Sequence, residues 1–283
     1  MYDADAVTTR RQRLAAEALL RLDGVTPLNV QFRDGALTTF PGIETAAVLV
    51  GDSRSVTGAP GMTVGRKPLA REMFDVLASR AAAAGHRDFA FINADIIVTP
   101  AAIREIERCP RESCVVSRSD VDDVTNGAPP TEPPMTAGLD MFVVSVRWWE
   151  DNRHRFRQYV IGETCWDCVY TAILMAHSNG AVLNRDALIL HERHAPSWHA
   201  VTPAARYNGM LAALDARYFS MWAQYWLRLE RLRAAGATAA EEDALQQNAF
   251  VWRASPYQAA RQVVRSVLAK RRYQRARTLN SEP

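Results

Sequence analysis

The sequence predicts an α/β fold: a mixed, mostly parallel sheet flanked by helices, followed by a helical C-terminal extension. Three observations predict it. Ala46-Ala-Val-Leu-Val50 and Phe89-Ala-Phe-Ile92 are continuous apolar runs, the pattern of strands covered on both faces. Such runs alternate with helical periodicity up to about residue 190, as strand–helix–strand units require. From about Pro203 onward strand patterns vanish. The expected division is therefore 1–202 as the catalytic or binding domain and 203–283 as the helical extension.

Taken in order, a helix is expected from about Thr9 to Leu22, ended by Asp23-Gly24. Leu28 to Phe32 reads as a short strand and Ala46 to Val50 as a buried one. Pro68 suits the first position of a helix that Gly85 ends. Phe89 to Asp95 is the next strand, and Thr99-Pro100 reads as an N-cap followed by a first-turn proline. That helix ends near Cys109-Pro110. Ser113 to Ser117 and Leu139 to Val146 read as strands. Arg118 to Pro134 between them carries three aspartates and four prolines, too polar for a core connection and suited to a functional loop. Trp166 to Ser178 reads as a helix and Ala187 to Leu190 as a strand. The extension then holds helical stretches at Arg206–Ala234, Ala239–Trp252 and Tyr257–Arg277.

Composition narrows the function. The 283 residues are 48% hydrophobic and 23% charged, as in ordinary globular proteins. A net charge of +3 gives no electrostatic case for nucleic acid. Four cysteines in a chain this long do not make a disulfide framework, and unbridged thiols in a reducing cytoplasm are expected. Met1 to Arg13 is polar and lacks the apolar core of a secretory signal. No run of about 18 apolar residues is present to span a membrane. The basic stretch Tyr257–Arg277 has a narrow apolar face at Val263, Val264, Val267 and Leu268. It reads either as a docked helix with a basic tail or as a peripheral contact with the inner membrane surface.

Several residues could carry chemistry. Asn93-Ala94-Asp95 ends a strand, where ligands of open α/β sheets bind. A carboxylate there can hold a divalent cation that bridges a diphosphate, or it can cap the next turn. Asp167 starts a helix and reads either as a general base or, with Thr164, as a capping box. His191-Glu192-Arg193-His194 lacks the four-residue histidine spacing of a helical zinc-protease motif, so a single histidine ligand or a plain loop cluster is expected. Asp140 is a charge within an apolar strand and needs a partner, a metal or a substrate hydroxyl. Arg66 and Lys67 precede a helix N-terminus, where a bound anion would benefit from both; a solvated pair is the alternative.

The ordered set carries more than any one site. It runs from Arg11-Gln12 through Gly65 and a Pro-Leu helix to Phe-Ile-Asn-Ala-Asp-Ile-Ile97. Gly-Leu-Asp-Met-Phe-Val-Val144 follows, then Ile161-Gly162 with Trp166-Asp167, and last His-Glu-Arg-His194 with Trp198. Over about residues 10 to 210 this resembles a GT-A-type glycosyltransferase, the nucleotide-diphospho-sugar transferase fold. The resemblance implies transfer of a sugar from a nucleotide-diphosphate donor to a hydroxyl acceptor (a glycan, a lipid-linked sugar or a small molecule). It implies Mn²⁺ or Mg²⁺ at Asp95 and His191, with Arg66, Lys67 and Asn93 toward the donor. It implies Asp167 as the base and Asp140 facing the acceptor. Asn93 stands where a strict Asp-x-Asp motif has its first acid. A binding or scaffold protein that kept the fold without turnover, and a nucleotidyltransferase on a similar sheet, are the alternatives.

Overall fold

A computed structural model describes residues 6–57, 66–109, 111–125, 138–184, 187–194 and 202–251, with residues 264, 267, 268, 270 and 271 beyond them. In chain order the elements are α1 (Ala6–Leu19), β1 (Leu28–Phe32), β2 (Glu44–Leu49), α2 (Ser53–Thr57), α3 (Ala70–Ala83), β3 (Asp88–Ile92), β4 (Ile96–Val98) and α4 (Pro100–Arg108). Then come β5 (Ser113–Val121), β6 (Leu139–Ser145), α5 (Val146–Asn152), α6 (Trp166–His177), β7 (Gly180–Leu183), β8 (Ile189–Glu192), α7 (Pro203–Leu214), α8 (Ala216–Ala234) and α9 (Ala239–Ala249).

The chain is α/β, and it divides into two compact units. The first comprises 1–50, 72–152 and 180–196; the second comprises 51–71, 153–179 and 197–283. The helices from Pro203 onward thus share a unit with two earlier segments, a different division from the one expected at residue 202.

In the first unit a six-stranded sheet has the order β3-β6-β5-β8-β4, with β7 also paired to β5. The expected mixed sheet is present, but it is not mostly parallel. β3–β6, β5–β6 and β4–β8 are antiparallel, while β5–β7 and β5–β8 are parallel. Continuous apolar runs report burial of both strand faces, which says nothing of direction. Phe74 of α3 sits among Phe89, Phe91, Phe142 and Trp149, its ring centroid 5.1–5.8 Å from theirs. Trp149 buries its indole and donates from Nε1 to Asp75 Oδ1 at 3.0 Å, so its one polar atom is satisfied. A second cluster joins Ile96, Val98, Ala102, Val116, Met141 and Ile189 under β4 and α4.

Local chemistry sets several boundaries. Thr99 caps α4: its Oγ1 accepts from Ala102 N at 3.3 Å and donates to Leu188 O at 2.9 Å. Thr99→Ala is therefore expected to cost about 0.5–2 kcal/mol in urea unfolding, with Thr99→Ser retaining most of it. Gly85 ends α3 at φ 74°, a left-handed value that glycine adopts without a Cβ penalty. Pro68, expected to open this helix, instead bridges Asp52, and the helix starts at Ala70. The strand expected over Phe89–Asp95 breaks at Asn93, and β4 pairs elsewhere in the sheet. The segment from Arg118, expected to be loop, continues β5 to Val121. Residues 126–137 of that loop, with Trp198 and most of Tyr257–Arg277, lie outside the described residues. Val264, Val267 and Leu268 are exposed.

In the second unit the single helix expected over Arg206–Ala234 is two, α7 and α8, meeting at Asp215. Asp215 is buried and accepts from Arg157 Nε at 3.0 Å and from Tyr159 Oη at 3.1 Å. Asn208, fully buried on α7, hydrogen-bonds both Val160 N and Val160 O at 2.9 Å. These tertiary bonds set the course of the chain where no glycine or proline marks a break.

Candidate functional site

Sheet register assembles the site in the first unit. β8 lies between β5 and β4. Its His191 pairs with Asp120 on the parallel side and with Ile96 on the antiparallel side. Asp95 directly precedes Ile96, in the turn where Ile96 N donates to Asn93 O at 3.2 Å. His194 follows β8 by two residues. Asp95, His191 and His194 thereby converge, and their ligand atoms all lie within 4.8 Å of one another.

The individual separations suit an ion. His194 Nε2 lies 3.2 Å from Asp95 Oδ2 and 3.1 Å from His191 Nε2, and His191 Nε2 lies 3.7 Å from Asp95 Oδ2. Ligands bound at about 2.1 Å stand roughly 3.0–3.4 Å apart around an octahedral or tetrahedral ion. The same atoms also satisfy one another by hydrogen bonds, so an ion would replace existing contacts rather than open a new space. Of the expected metal residues, Asp95 and His191 are brought together; His194 joins them although the sequence reading gave it no ligand role.

Charged side chains surround the triad. Asp120 Oδ1 lies 2.8 Å from His191 Nδ1 and 3.0 Å from Arg118 Nε. Arg118 Nη1 reaches Asp140 Oδ2 at 2.9 Å, and Asp140 Oδ1 accepts from Asn93 Nδ2. Both oxygens of Asp140 are thus engaged from within the unit. Burial acts to raise the Asp120 carboxyl, but the bond to His191 and the charge of Arg118 outweigh it and hold it below the usual carboxylate range. Glu192 points elsewhere: Arg11 Nε at 2.9 Å and Arg10 Nη1 at 3.0 Å clamp it to α1. Burial works against its ionisation and these arginines overcome it, keeping it a carboxylate.

The other expected site residues belong to the second unit. Lys67 is buried, with Nζ 2.9 Å from Glu163 Oε1 and 2.7 Å from Gly162 O. Arg66 Nε reaches Asp52 Oδ2 at 2.7 Å, and Arg54 shares that carboxylate. Both cations expected to meet a diphosphate are therefore in internal ion pairs. Asp167 lies in the first turn of α6. The Thr164 capping box is not formed: Cys165 is the N-cap, at φ 75°, without a side-chain cap bond. Asp167 Oδ1 instead accepts from Cys168 N at 2.9 Å. The four cysteines are unbridged. Burial raises the Cys165 and Cys168 thiols, and the Asp167 charge adds to it, so the Cys-x-x-Cys pair is held as inert thiols.

No family model, curated protein or solved structure matches this chain. Among the described residues no helix is long and apolar enough to cross a membrane.

Proposed function

We propose that the chain is a metal-assisted glycosyltransferase that moves a sugar from a nucleotide-diphosphate donor to a hydroxyl acceptor. The observation that carries this reading is the convergence of Asp95, His191 and His194 beyond the end of β3. Those residues would hold a divalent cation, which supplies charge stabilisation to a departing diphosphate. Asp120 orients His191, and Arg118 hydrogen-bonds Asp140 and lies in ion-pair contact with Asp120. From the sequence resemblance alone, Asp167 is the candidate proton acceptor.

A second reading is favoured by the pairing of the acids. Asp120 and Asp140 are tied to Arg118, and Glu192 to Arg10 and Arg11. A protein that binds a nucleotide sugar without transferring it would need no free base beside the metal.

Calorimetry with UDP or GDP in the presence of Mn²⁺ tests the shared part of both readings. Wild type should bind only with the metal, and nucleotide at about 100 times its dissociation constant should stabilise the fold by roughly 2.7 kcal/mol. Asp95→Ala should bind neither nucleotide. Equal binding by wild type and Asp95→Ala would sink the assignment. Nucleotide-sugar binding with no product on any acceptor would select the second reading.

A further inference from the structure

We infer that Asp120, braced by Arg118, makes the Asp95–His191–His194 cluster a site for a first-row transition-metal dication rather than for Mg²⁺. The inference rests on the metal-assisted reading above and names its ion class. A carboxylate only accepts, so the 2.8 Å contact to Asp120 Oδ1 places the hydrogen of a neutral His191 on Nδ1. Nε2 is then left as a bare lone pair, and Nε2 is the atom that meets His194 and Asp95. Ligating histidines characteristically have this outer partner, which fixes both tautomer and ring orientation.

Asp120 is itself held in place. The parallel register sets it beside His191, and Arg118, two residues earlier, lies on the same face of β5. The guanidinium hydrogen-bonds Asp140 and stands at ion-pair distance from Asp120, and Asn93 holds the far oxygen of Asp140. The path of Arg118 crosses Gly138 closely: a Cβ there would lie 2.9 Å from Arg118 Nε, so a larger residue would displace the brace. Asn93, one of the expected donor-binding residues, thus has a place in this chain of contacts.

Charge and donor chemistry point the same way. Asp95, Asp120 and Asp140 act on Arg118, and Arg193, which also acts on Asp120, is paired with Asp122; among these groups four carboxylates meet two guanidiniums, an excess that a dication would offset. Mg²⁺ demands oxygen ligands and keeps its waters. Two imidazoles and one carboxylate suit Mn²⁺, Fe²⁺, Co²⁺ or Zn²⁺, and three protein ligands leave room for a further one, as catalytic sites require.

Co²⁺ titration of the full chain after chelation, followed by visible absorption, provides the test. One Co²⁺ should bind with d–d bands of mixed nitrogen and oxygen ligation. Zn²⁺ should displace it, and Mg²⁺ in about 100-fold excess should not. His191→Ala and His194→Ala should each remove the bands. Asp120→Asn should weaken Co²⁺ about 10–100-fold and shift the bands, with the metal-free thermal midpoint as control for folding. Arg118→Lys keeps the charge but not the fork that spans both acids, and should weaken binding less. It also serves if Asp120→Asn does not fold. Displacement by Mg²⁺, absence of Co²⁺ binding, or wild-type Co²⁺ affinity in the folded variants would overturn the inference. No nucleotide sugar enters this assay, so the two readings fail separately. Tight Co²⁺ binding without metal-dependent UDP or GDP binding would remove the transferase and keep the site. Nucleotide binding served equally by Mg²⁺ would do the reverse.

Discussion

Replacing Lys67 by methionine is expected to destabilise the second unit by about 3–5 kcal/mol, the range for removing one partner of a buried ion pair. The Lys67 and Glu163 side chains are 4% and 0% exposed, so neither charge has water to fall back on. Lys67 Nζ donates to Glu163 Oε1 and to Gly162 O, and Thr202 Oγ1 donates to the same carboxylate oxygen at 3.3 Å. Among the described residues Glu163 Oε2 has no hydrogen-bond partner. The carboxylate is thus already short of partners, and without Lys67 it would keep one hydroxyl donor. Pro68 and Leu69, beside Lys67, bridge Asp52 and Val160, so the pair lies where several strands of this unit's chain meet.

The cost belongs to the orphaned charge rather than to the pair, and a double variant separates the two. Lys67→Met with Glu163→Leu removes both charges, and buried pairs exchanged for apolar residues are often neutral or better. The double variant should therefore recover most of the loss seen in Lys67→Met, giving a coupling energy of several kcal/mol across the cycle. Thermal unfolding is the measurement. For a body of this size the single variant should lower the midpoint on the order of 10 °C. A shift of only a degree or two would show that Lys67 has another route to water and that Glu163 tolerates its loss. The diphosphate contact expected for Lys67 from the sequence would then become open to test again.

What the sequence disclosed follows from which interactions are local. Thr99-Pro100 and Gly85 were legible because caps and left-handed turns are chosen by residues within a few positions. β1 was read at its observed bounds, since its ends are marked by Pro27 and Asp34-Gly35. The break at Asp215 was not legible, because its cause lies in Arg157 and Tyr159, more than fifty residues away. β7 is only four residues long and follows α6 almost directly, and Asn179-Gly180 has the look of a helix stop, which hides the strand.

The site divides the same way. Asp95 was found through its place after an apolar strand, and His191 through the strand that ends beside it. Arg118 and Asp120 read as loop in the sequence because their charges end the apolar run. Yet Arg118 and Asp120 alternate with Ser119 and Val121, which are buried, and that period of two was the available strand signal. His194 was passed over because its spacing failed a helical template. On a strand end followed by a short turn, three residues bring two imidazoles to 3.1 Å. The pairing of Asp120 with His191 was not readable at all, since it depends on the register of two strands 71 residues apart.

The largest functional effect is expected at Asp167. Asp167→Asn should lower sugar transfer by about 10²–10⁴ while leaving folding and donor binding intact. The structural side is constrained by the contact to Cys168 N at 2.9 Å, which an asparagine oxygen can also accept. Cys165, not Thr164, is the N-cap of the helix, and no side chain caps it. Asparagine should thus cost less than about 1 kcal/mol. On the chemical side, Asp167 lies in the first turn of α6, where the helix N-terminus presents partial positive charge. Asparagine keeps the shape and cannot take the proton. Stability must be measured beside turnover, because a misfolded variant would imitate a dead catalyst. Near-normal transfer by a well-folded Asp167→Asn protein would refute the role. Asp140 and Glu192 would be poor substitutes as the base: Asp140 has Arg118 on one oxygen and Asn93 on the other, and Glu192 is held by Arg10 and Arg11. Transfer that survives the loss of Asp167 would therefore point to activation of the acceptor hydroxyl by the metal site itself, and Asp95→Ala should then abolish turnover as well as donor binding.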